Sequence, residues 1–137
     1  MTKIIHCADL HLDSPMETHM TEEQASIRNT EIIHTFLRLT EYAVKNDVRA
    51  VIIAGDMFDG ERIKIRTVDE ILDAIRRTPN VDYLYLAGNH DGATYAFADH
   101  DMPDNLKIFG KEWKTYKYDS VAISGVEICE ANSQSLY

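Results

Sequence analysis

Apolar residues gather along this chain in three short runs, each released into polar side chains at its carboxyl end. Lys3–Ala8 (KIIHCA) leads into Asp9 and His11, and Ala50–Ala54 (AVIIA) into Gly55 and Asp56. Val81–Ala87 (VDYLYLA) leads into Gly88, Asn89, His90 and Asp91. Short runs of this kind predict strands buried on both faces, as inside a parallel sheet. Between them the period lengthens. Ile33, Phe36, Leu37, Thr40, Ala43 and Val44 recur at helical spacing and predict a helix from about Thr21 to Asn46. Thr21 with Gln24 fits a capping box, and Glu22 and Glu23 suit a helix amino terminus. Asn29 or Thr30 marks a place where that helix can break, since both favour caps over interiors. A second capping-box pattern, Thr67 with Glu70, predicts a helix through Ile71, Leu72 and Ile75 to Arg77, stopped by Thr78-Pro79-Asn80. The order β-α-β-α-β predicts three parallel strands with helices covering the faces.

Beyond the third run the pattern changes. Ala93–Asp101 reads as a loop or helical turn and Leu106–Phe109 as a brief strand. Glu112–Tyr118 and Ser120–Ile123 alternate like strands around a tight turn at Asp119-Ser120, which predicts a hairpin. Val126–Ile128 is one more short apolar stretch, and Cys129–Tyr137 carries no structural signal. Lys107, Lys111, Lys114 and Lys117 interleave with Trp113, Tyr116 and Tyr118. A nucleic-acid strip has that appearance, but so does a hairpin with one solvated face, and the hairpin is the reading adopted.

At 137 residues the chain is one domain with room for a core. Its net charge of −9 argues against a surface that coats nucleic acid, because affinity for phosphate backbones comes largely from Lys and Arg. It leaves room for an enzyme whose acidic site is neutralised by cations. Cys7 and Cys129 have no CxxC spacing and read as two buried thiols in a reducing compartment. No apolar run is long enough to span a bilayer, and the first strand begins at Lys3, so the expectation is a cytoplasmic protein.

The polar groups after the three strands define the chemistry. In α/β sheets, ligands bind where strands end at their carboxyl edge. Asp9 and His11, two residues apart in an extended segment, project to one side. A carboxylate with an imidazole suits Mn, Fe or Zn better than Mg or Ca. Asp56 can bridge two such ions, one oxygen to each, and Asn89 offers a neutral carbonyl oxygen. Two metals about 3.5–4 Å apart stabilise the attacking and leaving oxygens of an in-line displacement at phosphorus. Asp13, Asp59 and Asp91 read as loop acids or as groups that orient a ligand. His6, inside the first strand, reads as a core histidine, and His19 and His34 as surface or packing residues.

DLH, GDMFD and GNHD, each after an apolar strand and in that order, resemble the first three motifs of the calcineurin-like metallophosphoesterases. The wording IIHCADLHLDSP further resembles the DNA-repair exonuclease branch, which includes the nuclease subunit of double-strand-break processing and its bacterial SbcD-type relatives. The resemblance covers residues 3 to 128. It implies the first half of a calcineurin-like α/β sandwich: a β-α-β-α-β parallel sheet followed by a late hairpin. It also implies two divalent metal ions, usually manganese, with iron and zinc as alternatives. Asp9 and His11 would bind the first metal, Asp56 would bridge both and Asn89 would bind the second. His90 would contact the scissile phosphate. The implied substrate is DNA ends, and the implied partner an SMC-like ATPase. A phosphatase or nucleotide phosphodiesterase shares these motifs. Asp13 stands where the branch often has glycine. The family also has a later lone histidine and a GHxH-like motif, whereas no histidine follows His100 here. Residues 1–137 are therefore expected to form the amino-terminal part of a truncated domain, and a non-catalytic metal-binding fragment stays open. An uncovered sheet face in such a half-domain predicts pairing of two copies as a homodimer.

Overall fold

The computed structural model describes residues 1–15, 19–59, 63–88, 97–129 and 132–134. Four parallel strands form the main sheet: β1 (Lys3–Cys7), β2 (Val48–Ala54), β3 (Asp82–Leu86) and β4 (Leu106–Ile108). They lie side by side in chain order, β1-β2-β3-β4. Helix α1 (Glu22–Lys45) links β1 to β2, and α2 (Ile65–Arg76) links β2 to β3. An antiparallel hairpin follows, β5 (Lys114–Tyr118) and β6 (Val121–Gly125), with Asp119 at the turn in the left-handed region (φ 52°). A parallel sheet built this way and followed by a hairpin is the first half of the calcineurin-like fold.

Strand order decides which face is covered by what. Crossovers of one hand that step in one direction along a sheet deposit their helices on one face. Both helices here do so. Phe36 and Ala43 of α1 and Ile71, Leu72 and Ile75 of α2 share a core with Val51, Ile53, Tyr83 and Tyr85. The expectation of helices on both faces is therefore corrected. The opposite face is covered by the hairpin and by Phe109, just past β4: Phe109 and Tyr118 cluster with Ala50 and Leu84, flanked by Ile52, Leu86, Tyr116 and Ile123. That cover does not extend fully to the edge strand β1, where His6 is exposed rather than a core histidine.

The hairpin is fastened at both ends. Near the amino edge the Tyr118 hydroxyl donates to Asp82 Oδ2 at 2.6 Å, and the Thr2 hydroxyl donates to Asp119 Oδ2 at 2.9 Å. Near the carboxyl edge Gly125 lies flat on Phe109. A Cβ there would come within 2.8 Å of three ring atoms. The outward side chains of the hairpin, Thr115, Lys117, Ala122 and Ser124, are exposed, as a solvated face requires.

Helix α1 begins with the capping box at Thr21 and Gln24, both reciprocal bonds present, and ends at Asn46. It does not break at Asn29 or Thr30. Asn29 Nδ2 reaches out to Ser14 O, and the Thr30 hydroxyl folds back onto Ser26 O, so neither competes with the helix ladder. Helix α2 starts two residues before the expected cap. Its N-cap is Lys64, which supplies no side-chain cap, and Thr67 is buried inside the first turn. A second buried node joins the carboxyl end of α2 to the sheet. Asn105 Nδ2 donates to Ile75 O, Thr78 O and Val81 O at 2.8, 3.0 and 2.9 Å. Among the described residues no helix is long and apolar enough to cross a membrane. Cys7 and Cys129 are free thiols and half-buried, and burial raises the pKa of Cys7.

Candidate metal centre

The segments after β1 and β2 run alongside one another past the carboxyl edge. The Asp9 N–H donates to Gly55 O (3.2 Å), His11 N–H to Asp56 O (2.9 Å) and Leu12 N–H to Met57 O (2.9 Å). Leu12 and Phe58 extend this as a parallel bridge, and both are fully buried. The apolar residues between the acids thus act as pegs that hold the two polar loops in register. Gly55 N–H donates to Leu86 O at 2.8 Å, tying the second loop to the end of β3.

Within this clamp Asp9, His11 and Asp56 converge, each offering a ligand atom within 4.8 Å of the others. The route by which they converge differs from strand alternation. β1 ends at Cys7, and Asp9 (φ 53°), His11 (φ 46°) and Asp56 (φ 46°) all sit in the left-handed region. Asp13 (φ 60°) and Gly55 (φ 83°) share that conformation. Non-glycine residues held there cost of order 1–3 kcal/mol each and persist where surrounding structure over-determines them, typically at functional sites. Here the two-loop hydrogen bonds and the buried Leu12, Met57 and Phe58 do the over-determining.

Asp56 is held at close quarters. Its Oδ1 is buried and, among the described residues, has no hydrogen-bond partner. That oxygen lies against Gly88, where a Cβ would come within 2.4 Å of it and 2.8 Å of Asp56 N. The glycine is thus required for proximity. A buried carboxylate oxygen without a donor, beside a second carboxylate and an imidazole, is a donor set suited to a divalent cation. The residues present fit one such ion.

The two neighbouring acids have separate tasks. Asp59 Oδ2 accepts from the Ser14 hydroxyl at 2.7 Å and lies 3.6 Å from His11 Nδ1. Asp13 is turned away to the start of α2. Its carboxylate, 4% exposed, accepts the Lys64 N–H at 2.7 Å and pairs with Lys64 Nζ at 3.4 Å. It takes the N–H that a capping-box glutamate would take, so α2 is capped from across the fold. Ser14 is a residue that sequence reasoning passes over, because a loop hydroxyl gives no signal until Asp59 is placed beside it. Asn89, His90 and Asp91 lie outside the described residues.

Residues 2–133 match the calcineurin-like phosphoesterase family, and the chain belongs to it. It is similar to the DNA double-strand break repair protein Mre11 of Aeropyrum pernix, 33% identical over 93 residues, covering 66% of this chain and 21% of that protein. Mre11 of Sulfurisphaera tokodaii is 26% identical over 137 residues, 91% of this chain and 33% of its own length. The uncharacterized metallophosphoesterase YhaO of Bacillus subtilis is 26% identical over 110 residues, 77% of this chain and 27% of its own length. The chain thus spans between about a fifth and a third of these relatives.

Proposed function

We propose that this chain carries the metal-binding half of a phosphodiester hydrolase site acting on DNA ends. The observation that carries the reading is the convergence of Asp9, His11 and Asp56 in left-handed conformations around a buried, unpaired Asp56 oxygen. These three side chains would hold one divalent cation, Mn(II) being the first candidate and Fe or Zn the alternatives. Such an ion, when bound, supplies a Lewis acid for phosphoryl oxygens and lowers the pKa of water. Asp59, whose carboxylate lies 3.6 Å from His11 Nδ1, would help to orient the imidazole toward the ion. Asp56 Oδ1 abuts Gly88, the residue preceding Asn89, so Asp56 and Asn89 would together hold a second, weaker ion. His90 donates to the phosphate as charge develops on the leaving group. Similarity to Mre11 proteins supports DNA ends as substrate and an SMC-like ATPase as partner.

Calorimetric titration with Mn(II) is expected to show one tighter and one much weaker site, both lost in Asp56→Ala. No binding at all would refute the reading. Cleavage of end-labelled duplex DNA with Mn(II) separates it from its rivals. Turnover confined to a phosphomonoester points to a phosphatase, and metal binding without turnover points to a non-catalytic fragment.

A further inference from the structure

The carboxyl edge of the sheet holds more than the acidic cluster. β4 ends at Ile108, and Phe109 N–H donates to Tyr85 O at 2.9 Å, so the chain leaves the sheet on the same edge as the loops after β1 and β2. Gly110 O accepts the Glu127 N–H at 2.7 Å, and β5 does not begin until Lys114. Residues 110–113 therefore lie at the carboxyl edge itself. β2 and β4 are two strand spacings apart, roughly 10 Å. Lys111 and Trp113 are exposed on this corner, Trp113 at 64%. Among the described residues neither has a hydrogen bond, ion pair or ring contact.

The other members of the basic-aromatic stretch are engaged differently. Lys107 pairs with Asp82, and the Lys107 and Lys114 ammonium groups lie 5.6 and 5.4 Å from the centre of the Tyr116 ring. Tyr116 in turn packs edge-on against Phe109. Residues 106–118 carry four lysines against the single Glu112, in a chain of net charge −9. Of these, Lys111 and Lys114 stand at the carboxyl edge, the same edge as the acidic cluster, whereas Lys107 reaches Asp82 at the start of β3 and Lys117 lies beside Tyr118 toward the amino edge.

We propose that Trp113 and Lys111 form a subsite for a single nucleic-acid strand next to the metal centre, a nucleobase stacking on Trp113 and a phosphate meeting Lys111. This rests on the reading of the site as a phosphodiester hydrolase. A strand whose scissile phosphate met an ion held by Asp9, His11 and Asp56 would run along the edge of the sheet that also carries Lys111 and Trp113. Stacking on an exposed aromatic tolerates any base, so the subsite selects for unpaired strand rather than for sequence.

Trp113 is the sole tryptophan, so its emission reports on the subsite directly. The test is titration of the full chain with a ten-nucleotide oligothymidylate at low salt in EDTA. Saturable quenching is expected, reversed by added salt. With a fluorescein-labelled oligonucleotide read by anisotropy, Trp113→Ala should weaken binding about tenfold. Lys111→Ala should reduce the salt dependence by about 0.7 in log–log slope, the loss of one phosphate contact. Thermal melts check that both variants fold. Absence of binding, or binding that leaves Trp113 emission unchanged, overturns the proposal. So does a blue shift that follows protein concentration without oligonucleotide, which marks a protein contact. EDTA removes divalent ions, so failure here leaves the metal reading untouched, and failure of the Mn(II) titration leaves this test standing.

Discussion

Asp56→Asn separates the function of the metal centre from its cost to the fold. Asparagine keeps the size of the side chain and tolerates the left-handed backbone (φ 46°) that Asp56 adopts, so the change is chiefly electrostatic. Two carboxylates whose ligand atoms lie within 4.8 Å of each other repel, at that outer separation, by about 3.5 kcal/mol at an effective dielectric of 20 and by about 0.9 kcal/mol in bulk water. Asp9 is exposed, which places the effect in the lower part of that range. Removing the charge also relieves the buried, unpaired Oδ1 of its ionic character. The metal-free variant is therefore expected to be more stable than the parent by about 1–2 kcal/mol, a rise of several degrees in midpoint for a chain of this size. With Mn(II) the order reverses. A ligand at a hundred times its dissociation constant stabilises the parent by about 2.7 kcal/mol, and the variant should show little of this. Scanning calorimetry of both proteins, in EDTA and in Mn(II), measures all four midpoints. A variant less stable than the parent in EDTA would refute the account of Asp56 as a buried, unpaired acid repelled by Asp9. An undiminished response to Mn(II) would remove Asp56 from the ligand set.

Three further outcomes follow from single contacts. Gly88→Ala places a Cβ within 2.4 Å of Asp56 Oδ1 and 2.8 Å of its backbone nitrogen, so Mn(II) affinity should fall at least tenfold while far-ultraviolet circular dichroism is kept; unchanged affinity would mean that the two loops are not locked together. Asn105→Ala should cost about 1–3 kcal/mol in urea unfolding. Ile75 O and Thr78 O keep the Thr78 and Val81 N–H donors, and the loss falls chiefly on Val81 O. Tyr118→Phe removes a bond to a charged acceptor and should cost about 1.5–3 kcal/mol at neutral pH. Burial, then the hydrogen bond and negative charge of Asp82, push the Tyr118 pKa up, so above about pH 10 the unfolded chain loses this proton first. Stability from that source is present below pH 10 and declines as pH rises beyond it. The gap between parent and variant should narrow from pH 9 to pH 11 in urea titrations, and a constant gap would contradict the assigned shift.

Much of the first layer of this fold was legible in the chain because its causes are local. Apolar runs ending at Gly55 and Gly88 announce strands and the edge where polar groups collect, and the Thr21–Gln24 box sets the start of α1 with both bonds in place. Alternation around Asp119-Ser120 announces the hairpin, and it forms. Asp9, His11 and Asp56 are recognisable by type and spacing, and the fold brings them together. Other features depend on partners far away in sequence, and these only the tertiary structure decided. Both helices lie on one face because the strands are ordered in sequence, which no single segment encodes. Thr67 lost the role of cap because Asp13, fifty-one residues from Lys64, supplies the acceptor. His6 is exposed because the hairpin covers the middle of the sheet rather than its β1 edge. The left-handed backbone at Asp9, His11 and Asp56 likewise has no local signature. It exists because two loops, pegged by Leu12 and Phe58, hydrogen-bond to each other, and that pairing forms only when β1 and β2 are already side by side.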